Sequence, residues 1–148
     1  MMISMETNFN FKSQMCTTVA QSERLLALGL KKDTADMSSV RNLVETSSNR
    51  TREVIFTFTP DNWEANPDAI PRWSLHRLIE MMPNNIHKYN DIADLSVSNE
   101  LVQYRFYDVD YNHDVCLEHF NDGTLYNNII DCIEWLITEG YFSKEYLV

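Results

Sequence analysis

The amino-acid sequence predicts an α+β fold, in which about three helices pack mainly on one face of an antiparallel sheet of about four strands. Apolar residues recur at helical spacing in three segments and alternate with polar residues in four others. Three of the alternating segments follow one another through turns of a few residues, and such short connections join antiparallel strands. With 148 residues, 44% of them hydrophobic, the chain has the length and apolar content of one folded domain. We expect residues 1–15 to form a flexible N-terminal tail and residues 16–148 to form a single α+β domain.

The first helix begins after Thr18. A threonine N-cap followed three residues later by Gln21 is a capping box, in which each side chain bonds the backbone N–H of the other residue. Val19, Ser22, Leu25, Leu26 and Ala27 supply the inner face. Gly29, followed by Leu30, is typical of a helix end.

The next segments alternate strand and helix. Residues 31–52 are polar, and a short strand is possible at 41–45. Residues 53–59 alternate between β-branched or aromatic and polar side chains, which predicts a half-buried strand ending at Pro60. A second helix is predicted to begin near Pro71, since proline suits the first helical position, and to stop at Pro83. Trp73 is expected to pack the start of this second helix against the sheet.

Three strands and a long helix complete the predicted fold. Residues 84–91 are expected to form the connection between the second helix and these strands. The strands are predicted at 92–98, 101–109 and 115–120. The final helix is predicted to begin after Thr124 and to end at Gly140. Cys132 lies on the inner stripe of this helix, where a buried thiol behaves as a small hydrophobic group.

Negative charge is concentrated in the last part of the chain. Residues 1–88 contain ten acids and ten bases, whereas residues 89–148 contain twelve acids against only Arg105 and Lys144, so the whole net charge of −10 belongs to this part. Such a field repels nucleic acid and anionic membranes and attracts a basic protein surface. No signal peptide and no run of apolar residues long enough for a membrane span is present, so we expect a cytoplasmic protein.

No catalytic, metal or cofactor site is predicted. Residues 108–114 place oxygen ligands at alternate positions, as a calcium loop does, but His113 and His119 stand where that loop needs Gly and Glu, so an acidic β-turn is favoured. His113, Cys116 and His119 are possible zinc ligands, yet on a strand Cys116 and His119 point to opposite faces. The sequence contains no GxSxG motif and no phosphate-binding glycine loop, which favours a non-enzymatic protein.

The candidate partner-binding residues come from the acidic part of the chain. Trp135 lies between acidic residues on the last helix, and a tryptophan with acidic neighbours suits a basic, apolar partner surface. The predicted set is Asp108, Asp110, Asp114, Asp131, Glu134 and Trp135.

Several segments resemble a family of small proteins from phages and prophages of gut Bacteroidales. Residues 16–30 and 34–37 look like the start of that family, and residues 127–136 resemble its terminal helix. Between them, Pro71, Trp73, Ser74 and Leu75 match its P-x-W-S-L pattern, on a helix that ends at Pro83. The resemblance implies a mobile-element origin and a location in the host bacterial cytoplasm. It implies no catalytic residue.

Two functions are compatible with these features. The first is a non-enzymatic accessory or inhibitor protein that binds a basic host or phage protein, such as a defence or nucleic-acid-handling factor. The alternative is a small-ligand or nucleotide-binding domain, which requires Arg72, Arg77, Lys88 or Arg105 to converge on a phosphate.

Overall fold

The computed structural model describes residues 13–43 and 51–148, and it contains helices and antiparallel sheets in these ranges. The predicted α+β class is confirmed. Most of the predicted N-terminal tail, residues 1–12, lies outside the described residues. The helices are α1 (Val19–Ala27), α2 (Leu75–Met81) and α3 (Leu125–Glu139). The strands are β1 (Met37–Leu43), β2 (Thr51–Phe56), β3 (Ile70–Arg72), β4 (Asn85–Lys88), β5 (Asp91–Val97), β6 (Val102–Asp108) and β7 (His113–Phe120).

The strands of the described residues divide between two sheets. One has the order β2-β1-β3 and the other the order β4-β5-β6-β7, and the paired strands are antiparallel in both. The second sheet contains the three predicted strands of the acidic part of the chain. The first sheet was only partly predicted, because β1 is polar and its buried side chains include the small hydroxyl groups of Ser38 and Ser39.

The start of the second helix was predicted too early. Pro71 lies in β3, opposite Ser38 of β1, and α2 begins only at Leu75. Ser74 is the N-cap and accepts a hydrogen bond from the backbone N–H of Arg77 at 3.2 Å. Asp36 fixes this cap, since its carboxylate accepts bonds from the Ser74 backbone N–H at 2.9 Å and from the Ser74 hydroxyl at 2.5 Å. Proline is tolerated here because β3 is an edge strand.

The ends of α1 and α3 were predicted correctly. The Thr18 hydroxyl accepts from the N–H of Gln21 at 3.1 Å, and the Gln21 side chain accepts from the N–H of Thr18 at 3.0 Å, which completes the capping box. Thr124 caps α3, and Gly140 follows its last turn with a φ of 80°. Such a left-handed conformation favours glycine, which has no Cβ.

The core lies between α3 and one face of the four-stranded sheet. The side chains of Val102 and Tyr104 on β6 are fully buried, as are Ile129, Ile133 and Leu136 on α3. We call the sheet face that α3 covers the inner face. The opposite or outer face carries the alternate residues of the strands, among them Gln103, Arg105 and Tyr107 of β6.

Candidate functional site

Two hairpin turns lie side by side at one end of the four-stranded sheet. Residues 89–90 join β4 to β5, and residues 109–112 join β6 to β7. Since β5 and β6 are antiparallel, with Asp94 opposite Arg105, the start of β5 adjoins the end of β6. Both turns contain a left-handed residue, Tyr89 with a φ of 56° and Asn112 with a φ of 55°. We refer to residues 89–91 and 107–114 together as the tip surface.

The tip surface exposes large apolar side chains. Tyr89 is 93% exposed, Val109 80% and Tyr111 75%, and Tyr107 is also exposed. The exposed Ile92 lies next to this surface on the outer face, where it lines the same shallow depression as Tyr107. These five residues are more than half of the nine large hydrophobic residues that are exposed in the described part of the chain. A concentration of this kind is typical of interaction sites, whereas single exposed apolar residues are ordinary.

The tip surface also contains four aspartates. Asp91, Asp108, Asp110 and Asp114 all belong to the tip surface. The Asp108 carboxylate accepts hydrogen bonds from the N–H groups of Asp110 at 3.0 Å and Tyr111 at 3.3 Å, so the predicted acidic β-turn is confirmed. A bond from the Tyr107 hydroxyl to the Asn112 side chain also spans the turn. These internal bonds fix the position of the Asp108 carboxylate in the turn.

The outer face next to the tip surface is polar. Arg105 lies near its centre, opposite Asp94 on β5, and its Nη1 atom lies 3.7 Å from the Asp114 carboxylate. Asp114 thus lies on the outer face, away from α3. Arg105 is the only basic residue of β6, and an acidic residue lies beside it on each neighbouring strand, Asp94 on β5 and Asp114 on β7.

A β-bulge in β7 changes the predicted directions of two candidate zinc ligands. Arg105 pairs with Cys116 and Gln103 pairs with His119, because the register shifts by one residue between Tyr104 and Arg105. Cys116 and His119 therefore lie on the same outer face, and the expectation that they point to opposite faces was wrong. An extra residue in one strand reverses the alternation beyond it. Even so, no group of three His, Cys, Asp or Glu side chains in the described ranges is arranged to hold a metal ion.

The structure separates the predicted partner-binding residues into two groups. Asp108, Asp110 and Asp114 belong to the tip surface, whereas Asp131 and Glu134 lie on α3 on the other side of the sheet. The Nη2 atom of Arg24 on α1 lies 2.7 Å from a carboxylate oxygen of each of these two acids. They join α1 to α3, and their charge is partly neutralised there.

Trp135 has a packing role. Its ring lies 6.1 Å from that of Tyr104, 6.2 Å from that of Phe120 and 5.7 Å from that of Tyr141, measured between centroids. Tilted aromatic pairs at such distances add to the stability that burial provides. The indole therefore packs α3 against the inner face of the sheet and against the segment that follows the helix.

The four candidate cations of a phosphate-binding site do not converge. Arg72 is 3% exposed and lies in the first sheet. Arg77 on α2 contacts Glu80 at 3.4 Å, and Arg105 lies on the outer face beside Asp114. Lys88 follows the buried Ile86 by two residues, which places it on the inner face, opposite to Arg105. Each arginine is close to an acidic side chain, so this arrangement does not favour a nucleotide ligand.

Sequence reasoning missed a buried polar network around Arg72. The Nε atom donates to the Ser39 hydroxyl at 2.9 Å, and Nη1 donates to the Thr17 carbonyl oxygen at 2.5 Å. Nη2 forms an ion pair with the Glu53 carboxylate. Burial lowers the pKa of Arg72, although guanidinium groups remain charged at neutral pH. The only sequence signal was a serine pair in a polar strand.

A thiol lies close to this network. Cys16 is buried, and burial raises the pKa of its thiol, while the positive charge of Arg72 acts in the opposite direction. A nucleophilic cysteine needs a lowered pKa and an exposed sulfur atom. Cys16 therefore acts as a packing residue, and the network joins α1 to the first sheet.

Compared with known proteins, the chain matches no family model, no curated protein and no solved structure. Among the helices of the described residues, none combines the length and the apolar character that crossing a membrane requires.

Proposed function

We propose that the chain is a non-enzymatic accessory protein of a phage or other mobile element, and that it binds a basic protein of its Bacteroidales host through the tip surface. The observation that carries this proposal is the concentration of Tyr89, Tyr107, Val109 and Tyr111 on a surface that also contains four aspartates. Tyrosine is enriched among residues that dominate binding energy, because its ring is large, rigid and partly polar. The cellular location under this proposal is the host cytoplasm.

The charge distribution supports a basic partner. Residues 85–120, which form the four-stranded sheet, contain seven acids and two bases, Lys88 and Arg105. A negative surface raises the rate at which a positive protein surface is encountered, and it disfavours acidic partners. Proteins that handle nucleic acid carry such positive surfaces, since they neutralise phosphates with lysine and arginine. The proposed partner is therefore a host-defence or nucleic-acid-handling protein, which the tip surface would inhibit by occupying its basic groove.

Affinity capture with matched variants tests the proposal. The test variant carries Tyr89→Asn, Val109→Ser and Tyr111→Ser; asparagine is chosen at position 89 because it tolerates a positive φ. The control variant carries Met15→Ser, Ile55→Ser and Phe58→Ser, which remove three exposed apolar side chains outside the tip surface. We expect the wild type and the control to retain one host protein from a Bacteroides lysate, and the test variant to lose it. Equal retention by the two variants contradicts the proposal.

The electrostatic component is measured with the purified partner. Asp91→Asn with Asp110→Asn removes two charges of the tip surface, and Asp61→Asn with Asp68→Asn removes two from the exposed loop before β3. We expect the first pair to lower the association rate about tenfold at low salt, and the second pair to leave it within about twofold. The difference should shrink at raised ionic strength, because salt screens exposed charges. Identical rates for the two pairs count against a partner bound at the tip.

A further inference from the structure

An apolar hollow of about 260 Å³ opens on the inner face of the four-stranded sheet, beside the tip surface. Its walls are Ala93 of β5, Phe106 of β6, and Val115 and Leu117 of β7. Lys88, Tyr89 and Asp91 complete its lining, together with Cys116, which borders the hollow at the β-bulge although its side chain lies on the outer face. No residue of α3 contributes to it, so the hollow is the part of the inner face that this helix leaves uncovered.

The walls of the hollow are held by the core. Ala93 is 2% exposed and belongs to the buried core, and Phe106 and Leu117 pack against that core. Phe106 and Val115 are direct partners in the β6–β7 pairing. A hollow built from paired strands keeps its shape before anything binds, which lowers the entropic cost of binding.

The size and lining of the hollow indicate what it accepts. Small-molecule and cofactor sites in proteins enclose roughly 300–1,000 Å³ and present several convergent polar groups. This hollow is smaller, and its charged residues, Lys88 and Asp91, lie opposite each other on paired strands. A space of this size with apolar walls suits one large aliphatic or aromatic side chain.

The surroundings indicate what flanks that side chain. The charge of Lys88 is opposed by Asp91, while Asp108 ends β6 and Asp110 lies in the adjoining β6–β7 turn. The charge around the hollow is therefore negative and complements a cation. Tyr89 contributes to the hollow and is also the most exposed apolar residue of the tip surface.

We infer that the hollow receives one large apolar side chain from a basic segment of the partner protein, which anchors the partner while its cations contact the tip aspartates. This inference rests on the proposed function and makes it specific, since it names the recognised sequence pattern as an apolar residue between basic ones. Anchors of this kind fill preformed pockets at the centre of an interface and dominate its affinity.

Defined peptides provide the first test. The probes are Lys-Arg-Phe-Arg-Lys, acetylated and amidated at its ends, and the same peptide with alanine at the centre. Methyl NMR of the full chain reports on Ala93, Val115 and Leu117, which line the hollow, and on Ile92, which lies on the outer face. We expect the phenylalanine peptide to bind about 10- to 100-fold more tightly, as burial of an aromatic side chain implies. Its binding should shift the hollow methyl signals and not those of Ile92. Equal affinities, or shifts confined to Ile92, overturn the inference.

A filling variant provides the second test. Val115→Phe places a ring in the hollow, whereas Ile55→Phe adds a ring at an exposed position of β2 in the first sheet. We expect Val115→Phe to abolish the preference for the phenylalanine peptide and Ile55→Phe to retain it, with thermal unfolding confirming that both variants fold. If Val115→Phe does not fold, Val115→Met provides the comparison with a smaller, flexible side chain. A preference that is unchanged in the filled variant overturns the inference.

The two proposals fail in different ways. If the captured host protein binds Val115→Phe as tightly as the wild type but loses the tip variant, the hollow is not the anchor site and the proposed function stands. If the peptides occupy the hollow but no captured protein depends on the tip surface, the proposed function fails and the preference for apolar-basic sequences stands.

Discussion

The Nε atom of Arg72 donates a hydrogen bond to the hydroxyl oxygen of Ser39 at 2.9 Å, and both side chains are shielded from solvent. Arg72 belongs to β3 and Ser39 to β1, so the bond joins two strands of the first sheet. Through the Thr17 carbonyl oxygen the same guanidinium also holds the segment before α1. The Arg72 guanidinium therefore links β1, β3 and the segment before α1.

Arg72→Met should lower the free energy of unfolding by about 3 kcal/mol, because it leaves the Ser39 hydroxyl, the Thr17 carbonyl and the Glu53 carboxylate without their partner. Arg77→Met is the control, since Arg77 makes a surface ion pair with Glu80, and we expect a change within about 0.5 kcal/mol. Urea unfolding followed by circular dichroism measures both. Similar losses in the two variants are incompatible with a structural role for the buried guanidinium.

Asn128→Ala should destabilise the start of α3. The Asn128 side chain is fully buried, accepts from the Gly123 N–H at 2.9 Å and donates to the Gly123 carbonyl oxygen at 3.0 Å. Removing it leaves both backbone groups unsatisfied, and we expect a loss of about 2 kcal/mol in the free energy of unfolding. Asn121→Ala, at an exposed position, should cost less than about 0.5 kcal/mol. Equal effects in a denaturant titration would show that the buried amide does not fix this turn.

The three thiols should differ in their reactivity. Cys116 is exposed, whereas Cys16 and Cys132 are buried, and burial raises the pKa of Cys132 to about 12. Since the thiolate is the reactive form, we expect a colorimetric disulfide reagent at pH 8 to modify one thiol rapidly and the other two only on unfolding. Cys116→Ser should abolish the rapid phase. Rapid modification of two or three thiols in the folded protein contradicts this assignment.

Stability should fall in alkaline solution. Burial, with smaller contributions from Glu118 and Asp131, raises the pKa of Cys132 from 9.0 to about 12. Below pH 9 the Cys132 thiol is protonated in both the folded and the unfolded chain, so the free energy of unfolding does not depend on it. Between pH 9 and about 12 only the unfolded chain releases this proton, so the free energy of unfolding falls as the pH rises. The loss approaches about 1.4 kcal/mol per pH unit in this window. Burial raises the pKa of Tyr104 as well, which acts in the same direction.

The variant Cys132→Val separates the contribution of the Cys132 thiol to the alkaline loss of stability from that of Tyr104. The free energy of unfolding, measured with urea at pH 7, 9, 10 and 11, should fall more steeply for the wild type than for the variant. Parallel curves would mean that the Cys132 thiol does not contribute to the alkaline loss.

Local patterns predicted the elements whose ends depend on residues within one turn. The capping box of Thr18 and Gln21 and the left-handed Gly140 need only neighbouring residues to form. The alternation of apolar and polar residues likewise predicted β6 from the sequence. In contrast, β1 was displaced, and β3 and β4 were missed. Ser39 of β1 is a small polar residue, and its buried hydrogen-bond partner Arg72 lies 33 residues away along the chain.

The sequence predicted which types of residue the candidate site contains, but not how these residues are arranged in space. The sequence by itself determined that the excess charge lies after residue 88 and that residues 108–114 form an acidic turn. Only the tertiary structure decided which acids remain together. Glu134 contacts Arg24, which is 110 residues away, whereas the two hairpin turns bring Tyr89 and Asp91 beside Asp108. The physical reason is that charge and exposed apolar area act through distance in space, and strand pairing sets that distance independently of separation along the chain.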